Sequence, residues 1–280
     1  MRSLPLVYII VLNYNRKDDT LDCLRSLYGM DYPNFRVVMV DNASKDGTAA
    51  AVREAFPRAV VIETGANLMY AGGNNAGLQL ALKDGADYAM LLNNDTVVAP
   101  DMLSILVDAV EGYHLAGIAG PMMYYYAKKD GRDQIWYAGG IVDLLRGLTA
   151  HRGIREVDAG QYSKVEETGY VTGCGMLIYR ACLEKVGMLD TAYFLYAEDS
   201  DYSMRAMRAG FKLLFVPKAK LWHKVSASSG GEFSWFKLKN KAKSNIRFLF
   251  RYASPLQLVV MPFFILGRVL AFGIRRIFHR

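Results

Sequence analysis

Cysteine is scarce in this 280-residue chain, which carries only Cys23, Cys174 and Cys182. Three thiols form no even disulfide set, and no C-x-x-C pair occurs, so a disulfide-stapled scaffold and a thiolate metal knuckle are set aside and a reducing compartment is the simplest reading. No secretory leader is visible. The apolar run at 6–12 is too short for a signal core and breaks at once into Asn13-Tyr14-Asn15. The chain also lacks an internal repeat and a Gly-, Pro- or Ser-rich linker, which favours one large catalytic unit with a C-terminal appendage over two independent domains. Neither a dinucleotide G-x-G-x-x-G nor a Walker loop is present.

Apolar residues make up 52% of the chain and aromatic residues 12%, which excludes a disordered tail or a low-complexity scaffold. The formal charge of +7 is compatible with nucleic acid, an anionic membrane surface or small anionic substrates. Position separates these options. Lys237, Lys239, Lys241, Lys243, Arg247, Arg251, Arg275, Arg276 and Arg280 fall late in the chain, interleaved with Phe and Leu, and this pattern fits a membrane edge rather than a nucleic-acid groove.

Hydrophobic periodicity predicts strands at 6–12, 36–40, 59–62, 88–92 and 115–119, alternating with helices at 17–28, 46–56, 71–83 and 101–111. That alternation implies an α/β fold with a mostly parallel sheet covered on both faces. Beyond Pro121 the pattern turns to α+β. Short strands and loops are expected at 136–152 and 165–170, helices at 180–186 and 199–209, a strand at 211–216, and a basic helix at 237–252.

Polar residues gather where predicted strands end. Asp41 follows one strand and opens Asp41-Asn42-Ala43-Ser44-Lys45-Asp46-Gly47-Thr48, where a carboxylate either binds a base or ribose or simply forms an Asx turn. The run from Asn67 to Gly77, with Gly72 and Gly73, is a small-residue turn into a helix; its backbone N–H groups suit a phosphate, and a plain tight turn is the alternative. Asn93-Asn94-Asp95 ends a buried strand and offers an oxygen ligand to Mg or Mn, although Asp95 alone is equally a turn former. Glu198-Asp199-Ser200-Asp201 follows Tyr193-Phe194-Leu195-Tyr196 and opens a helix, where acids serve either the helix dipole or proton abstraction. Trp222-His223 follows a late strand, and a lone His is more often structural than a ligand.

Taken in order, Val11-Leu12-Asn13-Tyr14-Asn15, the Asp41 run, the Asn67–Gly77 turn, Asn93-Asn94-Asp95, Thr172-Gly173-Cys174-Gly175-Met176, Glu198-Asp199-Ser200-Asp201 and Trp222-His223 resemble glycosyltransferase family 2 over about residues 5–225. The resemblance implies a GT-A fold, a nucleotide diphosphate sugar donor, a divalent metal (Mg or Mn) and inversion at the anomeric carbon. Carried over by position, Asp199 is the catalytic base, and Asp95 and His223 are metal ligands. Asn13, Asn15, Asp41, Asn67, Gly72, Gly73 and Asn94 bind the nucleotide sugar. Gly173, Cys174, Gly175, Glu198 and Asp201 lie on the acceptor side. The family's usual D-x-D is here Asn93-Asn94-Asp95, with a neutral first position; a rhamnosyltransferase-like subset shares this form, which steers the donor expectation to dTDP-rhamnose, or a UDP sugar.

The expected role is therefore hexosyl transfer to a glycan or lipid-linked saccharide acceptor in cell-surface polysaccharide synthesis. Two alternatives stand beside it: a sugar-phosphate nucleotidyltransferase, which would show an early Gly-rich basic loop in place of Asn13-Tyr14-Asn15, and a non-catalytic membrane-bound scaffold of the same fold. The expected division is a catalytic unit at 1–236 and a basic, apolar helical segment at 237–280. Residues 256–274 are apolar enough to raise a span, yet they contain Gln257, Pro262 and Arg268, so peripheral docking at the inner face of a cell membrane, from the cytoplasm, is expected instead.

Overall fold

The computed structural model describes residues 4–225 and 235–265. Its central sheet begins with β1 (Val7–Asn13), β2 (Phe35–Asp41), β3 (Val60–Glu63) and β4 (Tyr88–Asn93), all mutually parallel and connected through α1 (Lys17–Leu27), α2 (Thr48–Ala55) and α3 (Met69–Lys83). These strands are near-continuous apolar runs because both faces of a parallel sheet are covered. In β1, Val7, Ile9 and Val11 face one core with Leu24 and Leu27 of α1, while Tyr8 and Ile10 face the other with Leu78 and Ala81 of α3. Helix α3 lies close against the sheet: a side chain at Gly77 would meet Ile10 at 2.5 Å, and one at Gly73 would meet Leu12 at 2.4 Å.

The chain then forms β5 (Thr96–Val98), α4 (Met102–Glu111), β6 (Ala116–Tyr125), β7 (Ile135–Tyr137), β8 (Gly140–Asp143), β9 (Leu148–His151), β10 (Glu166–Glu167) and β11 (Gly175–Tyr179). After these come α5 (Arg180–Val186), α6 (Glu198–Arg208), β12 (Lys212–His223) and α7 (Trp235–Tyr252). The sheet order is β10-β12-β6-β11-β4-β1-β2-β3, with β5 on β12 and β7 on β6; β8 and β9 form a separate antiparallel hairpin. Antiparallel β11 sits between parallel β4 and β6, so the expected parallel character holds for β3-β2-β1-β4 and for β6 with β12. This is the α/β architecture with helices on both faces that the sequence implied. Strand β12 runs past the expected end at 216, and its register against β6 breaks between Val216 and Lys220, where Pro217 has no N–H to offer.

Helix α7 is seated on the body. Phe248 and Tyr252 pack with Tyr193 and Ala197, the Ser244 hydroxyl donates to the Leu195 carbonyl at 2.8 Å, and Arg251 pairs with Asp190 at 2.7 Å. Residues 255–265 are again helical, and the rest of the apolar run, 266–274, lies outside the described residues. No helix among the described residues is long and apolar enough to cross a membrane.

Candidate active site

Three parallel strands end in polar side chains that bond to one another. The Asn13 amide closes β1 and donates to Asp41 Oδ1 at 2.9 Å and to the Ser44 hydroxyl at 2.8 Å. Its oxygen accepts from Thr20 at 2.9 Å and from the Asn94 amide at 3.0 Å. Asp41 Oδ2 takes the Ser44 N–H at 3.2 Å, and the Asn15 carbonyl side-chain oxygen takes the Lys45 N–H at 3.0 Å. Asn13 and Asp41 stand opposite each other in the β1–β2 register, so strand pairing itself creates the contact. Asn67 belongs to the same surface, accepting from Asn42 at 2.9 Å. The network gathers Asn13, Asn15, Asp41, Asn67 and Asn94 from four connections and fixes them before any ligand arrives.

Both glycines have a packing reason. Gly72 closes the first turn of α3, where a side chain would meet Leu68 Cβ at 2.8 Å. At Gly73 the missing side chain admits Leu12 and Asn42. The helix begins at Met69, two residues before its expected start, and Met69 is itself left-handed at φ 59. Asn15, Arg16, Ala43, Tyr196 and Ala197 share that conformation, which costs non-glycine residues about 1–2 kcal/mol each and is concentrated here beside the strand ends.

Asp95 and His223 are 128 positions apart, and β5 brings them together. His223 is paired with Thr96 in the β5–β12 ladder, which leaves His223 Nε2 3.0 Å from Asp95 Oδ1. Lys224 secures the end of β12 to α1 by donating to Asp19 at 3.0 Å and Asp22 at 2.8 Å. The His223 Nδ1 atom is buried without a hydrogen-bond partner among the described residues. An oxygen and an imidazole nitrogen converging in this way fit a divalent cation. No group of three or more His, Cys, Asp or Glu side chains suited to a metal occurs among the described residues, so further ligands would come from diphosphate oxygens and water.

The loop carrying Gly173 and Cys174 closes on the same strand end, because the Asn93 N–H donates to the Cys174 carbonyl at 3.1 Å. Gly173 donates its N–H to Asp199 Oδ2 at 3.1 Å, and its carbonyl accepts from the Tyr70 hydroxyl at 2.7 Å. A side chain at Gly173 would strike that hydroxyl at 2.1 Å, so glycine is required for the approach. The loop therefore places Asp199, at the start of α6, one peptide away from the end of β4. Cys174 is buried and its thiol is pushed well up by that burial, with the charges of Asp95 and Asp199 adding to the shift. Gly175 continues into β11 opposite Leu92.

Glu198 is buried, and its Oε2 atom has no hydrogen-bond partner among the described residues. Burial, with the neighbouring Asp199 charge, pushes its carboxyl up to about 8, so it is mostly neutral at pH 7. Asp201, expected on the acceptor side, is enclosed instead. It is 0% exposed, accepts from Tyr252 at 2.7 Å and Tyr193 at 3.2 Å, and pairs with Arg205 at 2.9 Å and Arg251 at 3.0 Å. Its carboxylate anchors α7 to α6 and positions the Glu198-Asp199 turn from behind.

Several residues at this surface gave no signal in the sequence. Trp136 of β7 lies between two imidazoles, 4.4 Å from His151 and 4.5 Å from His223 between ring centroids. Tyr137 and Tyr170 pack beside His151. His151 was legible only as part of an irregular stretch, since nothing in its local spacing marks a ligand.

The family model described as Glycosyl transferase family 2 matches residues 8–187. An N-acetylglucosaminyl-diphospho-decaprenol L-rhamnosyltransferase of Mycobacterium tuberculosis is 28% identical over 218 residues, covering 69% of this chain and 68% of that protein. The dTDP-rhamnosyl transferase RfbF of Shigella flexneri is 21% identical, covering 80% of this chain and 70% of that protein. Among solved structures, GalNAc-T7 with UDP, GalNAc and Mn2+ superposes with a TM-score of 0.66 at 14% identity, over 88% of this chain and 48% of that one. The mannosyltransferase PcManGT from Pyrobaculum calidifontis with GDP-Man and Mn2+ gives 0.56 at 20% identity, over 95% of this chain and 76% of that one. These folds are glycosyltransferase folds, and the present chain belongs to glycosyl transferase family 2.

Proposed function

We propose that this glycosyltransferase is metal-dependent and inverting, and that it moves a hexose, dTDP-rhamnose being the leading donor and UDP sugars next, onto a glycan or lipid-linked saccharide. One observation carries the reading. The Asp95–His223 pair sits two residues past Asn93, and Asn93 is bonded to the same loop that holds Asp199. A cation-binding pair and a candidate base thus flank one strand end, as displacement of a diphosphate by a hydroxyl requires.

In this scheme Asp95 and His223 hold the divalent ion, which when bound would offset charge on the departing diphosphate. Asp41 contacts the base or ribose, while Asn13, Asn15, Asn67 and Asn94 seat the nucleotide beside Gly72 and Gly73. Asp199 takes the proton of the acceptor hydroxyl as that oxygen attacks from the face opposite the leaving group, so no covalent intermediate forms. Gly173, Cys174 and Glu198 border the acceptor. The donor choice is supported by Asn93-Asn94-Asp95 and by relatives named for rhamnosyl transfer.

The test is a thermal-shift and turnover screen over nucleotide sugars with Mn or Mg, using a GlcNAc-diphospho-prenyl acceptor. A ligand that binds only the native state raises its apparent stability, so the donor is expected to shift the melt only with metal present. Selective use of a guanosine-linked donor would refute the thymidine or uridine assignment. Absence of turnover with every donor would favour a fold kept as a scaffold.

We also propose that residues 1–236 form the catalytic unit and that 237–280 dock it, peripherally, on the anionic inner face of a membrane. Ile246 and Phe250 on the outer side of α7 are 55% and 71% exposed, and Leu256, Val259 and Phe263 form an exposed stripe on the following helix. Lys239, Lys241, Lys243 and Arg247 lie exposed beside them. A docked chain should bind vesicles containing phosphatidylglycerol and leave them in high salt; indifference to such vesicles would overturn docking and favour an oligomer interface.

A further inference from the structure

His151 is held more firmly than a residue at a hairpin end needs to be. It closes β9 opposite Gly140, and its neighbour Arg152 exchanges backbone hydrogen bonds with Ala138 and Gly139 while its Nε donates to the Ala138 carbonyl at 2.7 Å. The imidazole meets Trp136 edge-on at 74° and Tyr137 edge-on at 88°. Its Nδ1 lies 3.1 Å from the Trp136 carbonyl oxygen. A carbonyl only accepts, so Nδ1 carries the proton and Nε2 keeps a lone pair. The Tyr137 hydroxyl is already donated to the Tyr170 carbonyl at 2.7 Å, and no described residue donates to His151 Nε2. The ring is half-buried, so that lone pair remains open to a ligand.

The surroundings select the ligand. On its other side Trp136 touches His223, so one indole spaces His151 from the cation pair. Asp199 is the acid whose charge reaches His151, Tyr137 and Tyr170 alike. The nucleotide-side residues Asn13 and Asp41 end β1 and β2, whereas β7 joins the sheet through β6, on the opposite side of β4. A group that offers hydroxyl donors and an apolar ring face to aromatic walls, beside a base, is a saccharide acceptor.

We propose that His151 is an acceptor-binding residue whose Nε2 accepts a hydrogen bond from a sugar hydroxyl adjacent to the one Asp199 deprotonates, with Trp136 fixing the imidazole relative to His223. The assignment rests on the transferase reading above. It is tested with His151→Phe, which keeps a ring against Trp136 but removes Nε2, and with His151→Gln, which returns an acceptor near the same point. Two reactions are followed: hydrolysis of dTDP-rhamnose with water as acceptor, and transfer to a GlcNAc-diphospho-prenyl acceptor.

For His151→Phe the KM for the saccharide should rise about tenfold or more, the loss of one well-placed hydrogen bond. The donor KM, donor hydrolysis and Mn activation should stay within twofold, and His151→Gln should recover part of the saccharide KM. An unchanged saccharide KM overturns the assignment, as does a rise confined to the donor KM. A parallel fall of both reactions with a lowered melting temperature also overturns it, since that marks a packing role. If the unaltered chain neither hydrolyses nor transfers any nucleotide sugar, the transferase reading has failed, and that result is visible before either variant is compared.

Discussion

The two flanks of β4 are built from different chemistry. On the β1–β2 side, Asn13, Asp41, Ser44, Thr20 and Asn94 saturate one another with hydrogen bonds between 2.8 and 3.0 Å. On the β6–β12 side, rings and titratable groups dominate, and polar atoms are left over: His223 Nδ1 and Glu198 Oε2 are buried without partners among the described residues. A saturated network holds its shape without ligand and exchanges bonds only at its rim, so it suits a part common to many substrates. Unsatisfied polar atoms cost stability until something completes them, and they mark where a ligand or ion has the most to gain. In the proposed scheme the first flank is the constant nucleotide seat and the second the reactive, selective half.

The largest effect should come from the second flank. Replacing Asp199 by Asn keeps its size and the Gly173 contact while removing basicity, so transfer should fall by roughly 10²-fold or more with donor affinity kept. Steady-state kinetics beside isothermal titration with the nucleotide diphosphate separates the two. Near-normal turnover would mean that the two flanks do not divide chemistry from binding as described.

Next in size is the proposed cation pair. Asp95→Ala or His223→Ala should lower turnover by about 10- to 100-fold and raise the Mn concentration needed for half-maximal rate. Chelation of the unaltered enzyme should abolish transfer, and excess Mn should restore it. Full activity after chelation would remove the metal from the scheme while leaving Asp199 untouched.

The saturated flank predicts a different signature. Asn13→Ala strips partners from Asp41, Ser44, Thr20 and Asn94, and the stranded buried groups should cost about 1–3 kcal/mol of stability, read from denaturant melts. The donor KM should rise and the acceptor KM should not. A joint rise would show that both flanks move as one.

The same contrast explains what the sequence disclosed. Strands at 7–13, 35–41, 60–63 and 88–93 fell within one or two residues of expectation, because a parallel core leaves an unmistakable apolar run between polar punctuation. The residues proposed to seat the nucleotide lie at the ends of those runs and stood out as candidates for that reason. Strand β11 was hidden: Gly175–Tyr179 is short, follows glycine and cysteine, and enters the sheet antiparallel by tertiary pairing alone. The closeness of Asp95 and His223 depends on β5, only three residues long, and no local pattern announces so brief a strand. Trp136 and His151 came into view only when the β7 strand and the β8–β9 hairpin were placed beside β12. Asp201 misled for the opposite reason, since an acid two residues past Asp199 looks like part of a site until Tyr252 and Arg251 arrive from α7 to claim it.

The last effect, and the one that most directly probes the unsatisfied flank, concerns Glu198. Its carboxyl is raised from an ordinary acid's value to about 8 by burial and the adjacent Asp199 charge, so the folded chain holds a proton that the unfolded chain releases near pH 4.5. A raised folded-state value stabilises the fold fully below the unfolded value, and that contribution is lost as pH rises through the folded one. Between about pH 5 and 8 the native state binds more protons than the unfolded state at this position, which tilts stability downward by at most roughly 1.4 kcal/mol per pH unit. Glu198→Gln keeps the shape without a proton to lose, so urea melts at pH 5, 6.5 and 8 should show the variant gaining on the unaltered chain as pH rises, and the difference should level off above 8. Parallel pH profiles for the two proteins would show that Glu198 is charged in the folded state, and the acceptor-side flank would then be less starved of partners than its geometry indicates.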